Sequence, residues 1–174
     1  LMVLAGPMIA TLFQSDVFDA QDVVMAQRSL VAYALGLQAF ILIKVLAPGF
    51  YARQDTATPV KIGVIAMVAN MALNLALIFP LKHAGLALAT SLSAYLNAFL
   101  LMRHLRRDAV YVPSSGWSRL IAQVAGAALL MAGLLAWLSP ELGAWNEAAR
   151  WTRVVWLAGL ITLGAGIYGV AVLT

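Results

Sequence analysis

The sequence has no cysteine, and therefore no disulfide framework, thiol nucleophile or thiolate metal site. Charge is also scarce: Asp, Glu, Lys and Arg make up 10% of 174 residues, against 63% hydrophobic. Soluble domains average about 25% charged residues, and a chain with so few cannot coat a water-facing surface. The seven acidic residues, Asp16, Asp19, Asp22, Asp55, Asp108, Glu141 and Glu147, fall in polar stretches or at the ends of apolar runs. None pairs with another on a buried helix face, where general acid–base work would place it. His83 and His104 each stand beside basic residues without a metal-ligand companion at short spacing. A phosphate-cradling glycine loop and a nucleophile elbow are missing too. The reading is a protein that is not an enzyme. The net charge of +4 would raise nucleic acid as a partner of a soluble protein. Here the basic residues flank apolar runs instead of forming a patch, so no nucleic acid is expected.

Long apolar runs are what the chain does have, and residues 43–85 show their logic. Pro48-Gly49 reads as a helix stop, and Thr58 followed by Pro59 reads as the N-cap and first residue of the next helix. From 59 to 79 only Lys61, Asn70 and Asn74 are strongly polar, about one bilayer crossing at ~1.5 Å per residue. Pro80-Leu81-Lys82-His83 then turns the chain back into another apolar run. Taken in order, 1–14 is the far end of a helix, and 15–27 is an aqueous loop or short interfacial helix. The complete spans are 28–47, 59–79, 84–102, 117–138 and 151–173, with a basic loop at 103–115 and a short loop or interfacial helix after Ser139. The fold class is all-α, a polytopic membrane helix bundle of five complete spans plus the end of a sixth. No signal peptide is recognisable at the start, and the chain reads as a fragment that begins inside a helix and ends within an apolar run.

Orientation follows from Lys and Arg near the span ends. One side gathers Lys44, Arg53, Lys61, Arg103, Arg106, Arg107 and Arg119; the other gathers Arg28, Lys82, Arg150 and Arg153. The richer side is assigned to the cytoplasm. Trp117, Trp145, Trp151 and Tyr111 lie near span ends, as interfacial anchors do.

Polar groups inside the spans are the informative ones, because burying them in hydrocarbon without partners is costly. Asn70 and Asn74 are four apart and share one helix face; Thr90, Ser93 and Asn97 form a stripe on the next helix, with Ser91 beside it. The short turn makes the two helices antiparallel neighbours, so the groups can meet. One reading is interhelical hydrogen bonding; the other is an oxygen cage for a monovalent cation, built from side-chain amide and hydroxyl oxygens plus a backbone carbonyl and needing a further ligand from a helix outside this chain. Lys44 either snorkels to the interface or faces a cavity and meets a phosphate. Small residues are dense in the last two spans, among them Gly126 and Gly164, which suits close packing or a shallow groove for a lipid chain.

The segment APGFYARQDTATPVKIG, followed by NLALIFPLKHAGLALA and LNAFLL, closely resembles the MurJ/MviN lipid II flippases, part of the multidrug/oligosaccharidyl-lipid/polysaccharide exporter superfamily. The resemblance implies the C-terminal part of a fourteen-helix exporter fold. Residues 1–107 would be part of its C-terminal helix bundle, and 108–174 two additional helices that form a groove for the lipid tail. It implies transport of undecaprenyl-diphosphate-linked peptidoglycan precursor (lipid II) from the inner to the outer leaflet of the bacterial inner membrane by alternating access. Lys44, Arg53, Gly126 and Gly164 become candidates for the lipid path. Sodium is the implied ion at Asn70, Asn74 and Thr90, although Asn74 stands where a carboxylate can occur in the family. Membrane lipids are expected partners, and a monomer is the expected state. Two alternatives remain at this stage: another polysaccharide-lipid or drug exporter of the superfamily, and a non-transporting membrane scaffold.

Overall fold

The computed structural model describes residues 1–13, 20–108 and 116–173. Among them there is no strand, and six helices follow in order: α1 Ala5–Phe13, α2 Ala20–Tyr51, α3 Ala57–Arg107, α4 Trp117–Leu138, α5 Leu142–Glu147 and α6 Arg150–Leu173. Four of these, α2, α3, α4 and α6, are long and apolar enough to cross a membrane. The all-α reading therefore stands. By contacts the chain forms two compact units, residues 28–112 and residues 1–27 with 113–174.

Helix α2 begins earlier and ends later than the sequence suggests. The described part of 15–27 is already its first turns, and Pro48-Gly49 does not stop it. Proline removes one backbone donor inside a helix, and here tertiary packing outweighs that loss. Phe50 is buried with Leu46, Ile62, Leu101 and Leu105, and the Gly49 Cα lies so close to the Leu105 side chain that an added Cβ would sit 3.2 Å from it. The actual stop is at Gln54, which takes a left-handed φ of 58°. The Gln54 N–H donates to Tyr51 O at 2.9 Å and the Asp55 N–H to Phe50 O at 3.1 Å. This bond pair is a Schellman motif, with glutamine where glycine is usual.

The start of α3 is corrected as well. Thr58 is not the N-cap: the helix already runs at Ala57, and the Thr58 N–H donates to Asp55 Oδ1 at 3.0 Å. Hydrogen bonds from the Thr58 side chain and backbone, which favour the ionised carboxylate, hold the Asp55 carboxyl below its ordinary range. Further on, α3 is helical throughout except at Lys82 (φ 49°, ψ −127°), which divides it into a first arm, 57–81, and a second arm, 83–107. The turn is so tight that a Cβ on Gly85 would collide with the Leu77 carbonyl oxygen, so only glycine fits there. Arg106 and Arg107 lie in the last turn of α3 and not in a loop, where their charge complements the helix C-terminus. The rest of the basic loop, with Tyr111, lies outside the described residues.

In residues 28–112, α2 packs on the second arm through small side chains: Ala39 meets Ala94 and Ala98. A Cβ on Gly36 would fall 2.8 Å from Ser91 Cα, so the two backbones approach as closely as glycine allows. The Ser91 hydroxyl donates to Ala32 O at 2.6 Å, and the Tyr95 hydroxyl reaches Leu35 O at 2.8 Å and Gln38 Oε1 at 3.2 Å. In the other unit, α6 packs against α4 and α1, and α5 against α1. Trp145 of α5 is 0% exposed, packed with Ala10, Val23 and Leu157 and edge-on to Trp156 at 5.5 Å. It is a core residue and not an interfacial anchor, whereas Trp151 is 80% exposed.

Candidate functional site

Two recesses follow from this packing, one in each unit. In residues 28–112 the two arms of α3 and the middle of α2 line an open cavity of about 230 Å³. Its polar lining is Asn70 from the first arm with Thr90, Ser93 and Asn97 from the second; Phe40, Ile43 and Met67 are among its apolar walls. Helical spacing sets this arrangement: 90, 93 and 97 recur at three and four residues, so one stripe faces Asn70 across the turn.

The groups share the cavity without bonding across it. The Asn74 side-chain N–H donates to Asn70 Oδ1 at 2.9 Å, one turn back on the same helix. The Thr90 hydroxyl donates to Leu86 O and the Ser93 hydroxyl to Thr90 O, again within their own helix. Helix-to-helix bonds of this unit fall elsewhere, among them those of Ser91 and Tyr95. The Asn74 Oδ1 is buried without a partner. For a monovalent cation, the donors are of the right kind, hard neutral oxygens, and one is left unpaired. The match is one of donor type only: Asn74 does not line the cavity that Asn70 and Thr90 share.

The second recess, about 410 Å³, is an apolar groove lined by Leu138, Pro140, Val155, Trp156, Gly159, Leu160 and Leu163. Gly164 is buried one residue beyond, where an added Cβ would sit 3.1 Å from Leu135 Cδ1. It serves the α4–α6 contact, so glycine there lets the helices close. An added Cβ on Gly126 meets nothing within 4 Å. Lys44 is exposed on α2. Arg53, also exposed, pairs with Asp108 at 3.1 Å, joining the start of the α2–α3 loop to the end of α3.

Sequence reasoning missed three features. Tyr95 was hidden among apolar neighbours, although a hydroxyl-bearing aromatic inside a span needs a partner. Ser91 lay off the polar stripe because it faces α2, and the signal was the glycine opposite it, Gly36. Arg153, counted as a topology charge, instead donates to Ala148 O at 2.8 Å, Asn146 O at 2.8 Å and Ala10 O at 3.1 Å. Among the described residues no group of three or more His, Asp or Glu stands together to hold a metal.

Four helices long and apolar enough to cross a membrane, a recess with a partly polar lining and an apolar groove point to a multi-pass membrane protein. Residues 1–147 match the family model for the lipid II flippase MurJ. The chain is 47% identical to the probable lipid II flippase MurJ of Haemophilus influenzae over 96% of its length, and 45% identical to that of Vibrio cholerae over 97%. It is 41% identical to the lipid II flippase MurJ of Burkholderia cenocepacia, also over 97%. The chain belongs to the MurJ family. It spans about a third of the length of these relatives, 32%, 32% and 33% respectively.

Proposed function

We propose that the protein carrying this chain is a lipid II flippase of the bacterial inner membrane, moving the polyprenyl-diphosphate-linked precursor from the inner to the outer leaflet by alternating access. The family match over residues 1–147 carries this reading. Helix α3 has 51 residues, ~77 Å at ~1.5 Å per residue, against a hydrocarbon core of ~30 Å. Each arm is therefore one crossing, and with α2, α4 and α6 the chain contributes five of fourteen. Residues 1–107 belong to the C-terminal bundle and 108–174 supply two additional helices. The ends bearing Lys44, Arg53 and Arg103–Arg107 face the cytoplasm. The protein acts as a monomer and as a transporter, with lipid II and membrane lipids as its partners and no nucleic acid.

The division of labour is physical. A diphosphate headgroup cannot cross hydrocarbon unaided, so it needs a polar, cation-lined path; Lys44 and Arg53 contribute to its cytoplasmic mouth. The tail stays in lipid and needs only a lateral groove, supplied by the recess between Leu138 and Pro140 on one side and α6 on the other, with Gly126 and Gly164 as further candidates along α4 and α6. The test is to express the full-length protein in bacteria depleted of their own lipid II flippase. Growth should return and lipid II should reach the outer leaflet. Proper insertion without growth, with lipid II retained inside, overturns the reading and favours a polysaccharide-lipid exporter.

A sodium site at Asn70, Asn74 and Thr90 is a second proposal, favoured by the unpartnered Asn74 Oδ1. Bound sodium would supply fixed positive charge whose loading biases one transport state, and these residues would hold it through side-chain oxygens. Sodium should then raise the melting temperature of the full-length protein by mass action, and Asn74→Leu should shrink that rise. A melting temperature indifferent to sodium removes the site.

A further inference from the structure

Arg153 stands in the first turn of α6, half-buried, with three of its nitrogens engaged. Its Nε donates to Ala148 O, its Nη2 to Asn146 O and its Nη1 to Ala10 O. All three acceptors are neutral backbone carbonyls at helix ends: Ala10 lies in the last four residues of α1, Asn146 in α5, and Ala148 is the residue that caps α5. Carbonyls at a helix C-terminus carry the negative end of its dipole and so attract a cation. The planar guanidinium fork suits this task, because one rigid group presents donors in several directions.

The same stretch of α6 links this cluster to the groove. Leu157, one turn on from Arg153, packs in the core with Ala10, Val23 and Trp145. Trp156 beside it touches Trp145 edge-on and forms a wall of the apolar groove. A shift of Arg153 against α1 therefore moves the groove wall itself. In the division proposed above, α1 belongs to the bundle segment and α5 and α6 to the additional helices, so Arg153 bridges the two.

We infer that Arg153 is a positioning residue for transport: it ties α6, and with it the groove, to the C-terminal carbonyls of α1, so that the groove keeps register with the bundle helix. This rests on the reading that the groove holds the polyprenyl tail. The tie matters in proportion to how much of the substrate lies in the groove.

The experiment uses the full-length protein in liposomes and compares flipping of lipid II bearing its long tail with a short-tailed analogue. Arg153→Gln should slow the long-tailed substrate about tenfold, the equivalent of one lost charge-assisted hydrogen bond, and leave the short-tailed one nearly unchanged. Arg153→Lys keeps the charge but not the fork, and should behave as Arg153→Gln does. A disulfide between Ala10→Cys and Leu157→Cys, introduced into Arg153→Gln, should restore long-tail flipping by replacing the tie covalently. Equal loss for both tails, no loss for either, or a closed disulfide that restores nothing overturns the proposal. Gly159 lines the groove and an added Cβ there meets nothing within 4 Å, so a large side chain fills the groove without prying helices apart. If Gly159→Trp spares long-tail flipping, the groove reading has failed; if Gly159→Trp impairs it while Arg153→Gln is inert, only the tie has failed.

Discussion

The two arms of α3 have similar apolar composition, yet they pack differently. The second arm buries Gly85, Ala89, Ser91, Ser93, Ala94, Ala98, Leu101 and Leu105; the first buries only Ile62 and Ala66. Along the first arm Val60, Val64, Met67, Met71, Leu75 and Phe79 are all well exposed, Phe79 at 81%. In a membrane the lipid is as apolar as leucine, so hydrophobicity does not choose a helix partner. Close approach of backbones and hydroxyl-to-carbonyl bonds do. The second arm has both against α2, through Ser91 against Gly36 and Tyr95 against Leu35, and the first arm makes neither with α2.

This contrast is broken most sharply by glycine substitution. Gly36→Ala forces a methyl against Ser91 and should lower stability by about 1–3 kcal/mol. Gly63→Ala, where an added Cβ meets nothing within 4 Å, should leave stability unchanged or raise it by up to about 1 kcal/mol. Thermal unfolding of the full-length protein in detergent reads both, and equal losses would remove the distinction between the arms. Ser91→Ala, which deletes a buried interhelical bond, should cost about 1 kcal/mol. In sodium-free buffer Asn74→Leu should cost less than about 0.5 kcal/mol, because it also removes an unpartnered buried acceptor. The reverse order would mean that the asparagine face is the structural one.

Smaller effects sit at the arm ends. Arg53→Ala loses an exposed ion pair to Asp108 and should cost at most about 1 kcal/mol, vanishing at high salt; a loss that persists in high salt would argue for a role beyond the ion pair. The smallest effect belongs to Asp55. Its folded pKa lies below the ordinary value, chiefly through hydrogen bonding with Thr58, so its contribution is present above the unfolded pKa and is lost as pH falls through the folded one. Amide exchange at Thr58, corrected for the intrinsic pH dependence, should therefore rise relative to neighbouring helix amides as pH falls below about 4. Asp55→Ala should show that raised exchange at neutral pH, and an unprotected Thr58 amide in the parent would contradict the cap.

Hydropathy and turn chemistry are local properties, and from them the sequence by itself determined the all-helical class, the apolar stretches, the reversal near Lys82 and the shared face of Thr90, Ser93 and Asn97. Each depends on residues within a few positions of one another. Only the tertiary structure decided where α2 stops, because Phe50 and Gly49 are held by Leu105 in a different helix. It also decided that Trp145 is core, that the polar stripe shares a cavity with Asn70 without bonding to it, and that Arg153 serves two helix ends. An arginine near a span end reads the same in sequence whether it faces lipid headgroups or three carbonyls. The difference lies in Ala10, which is 143 residues away along the chain.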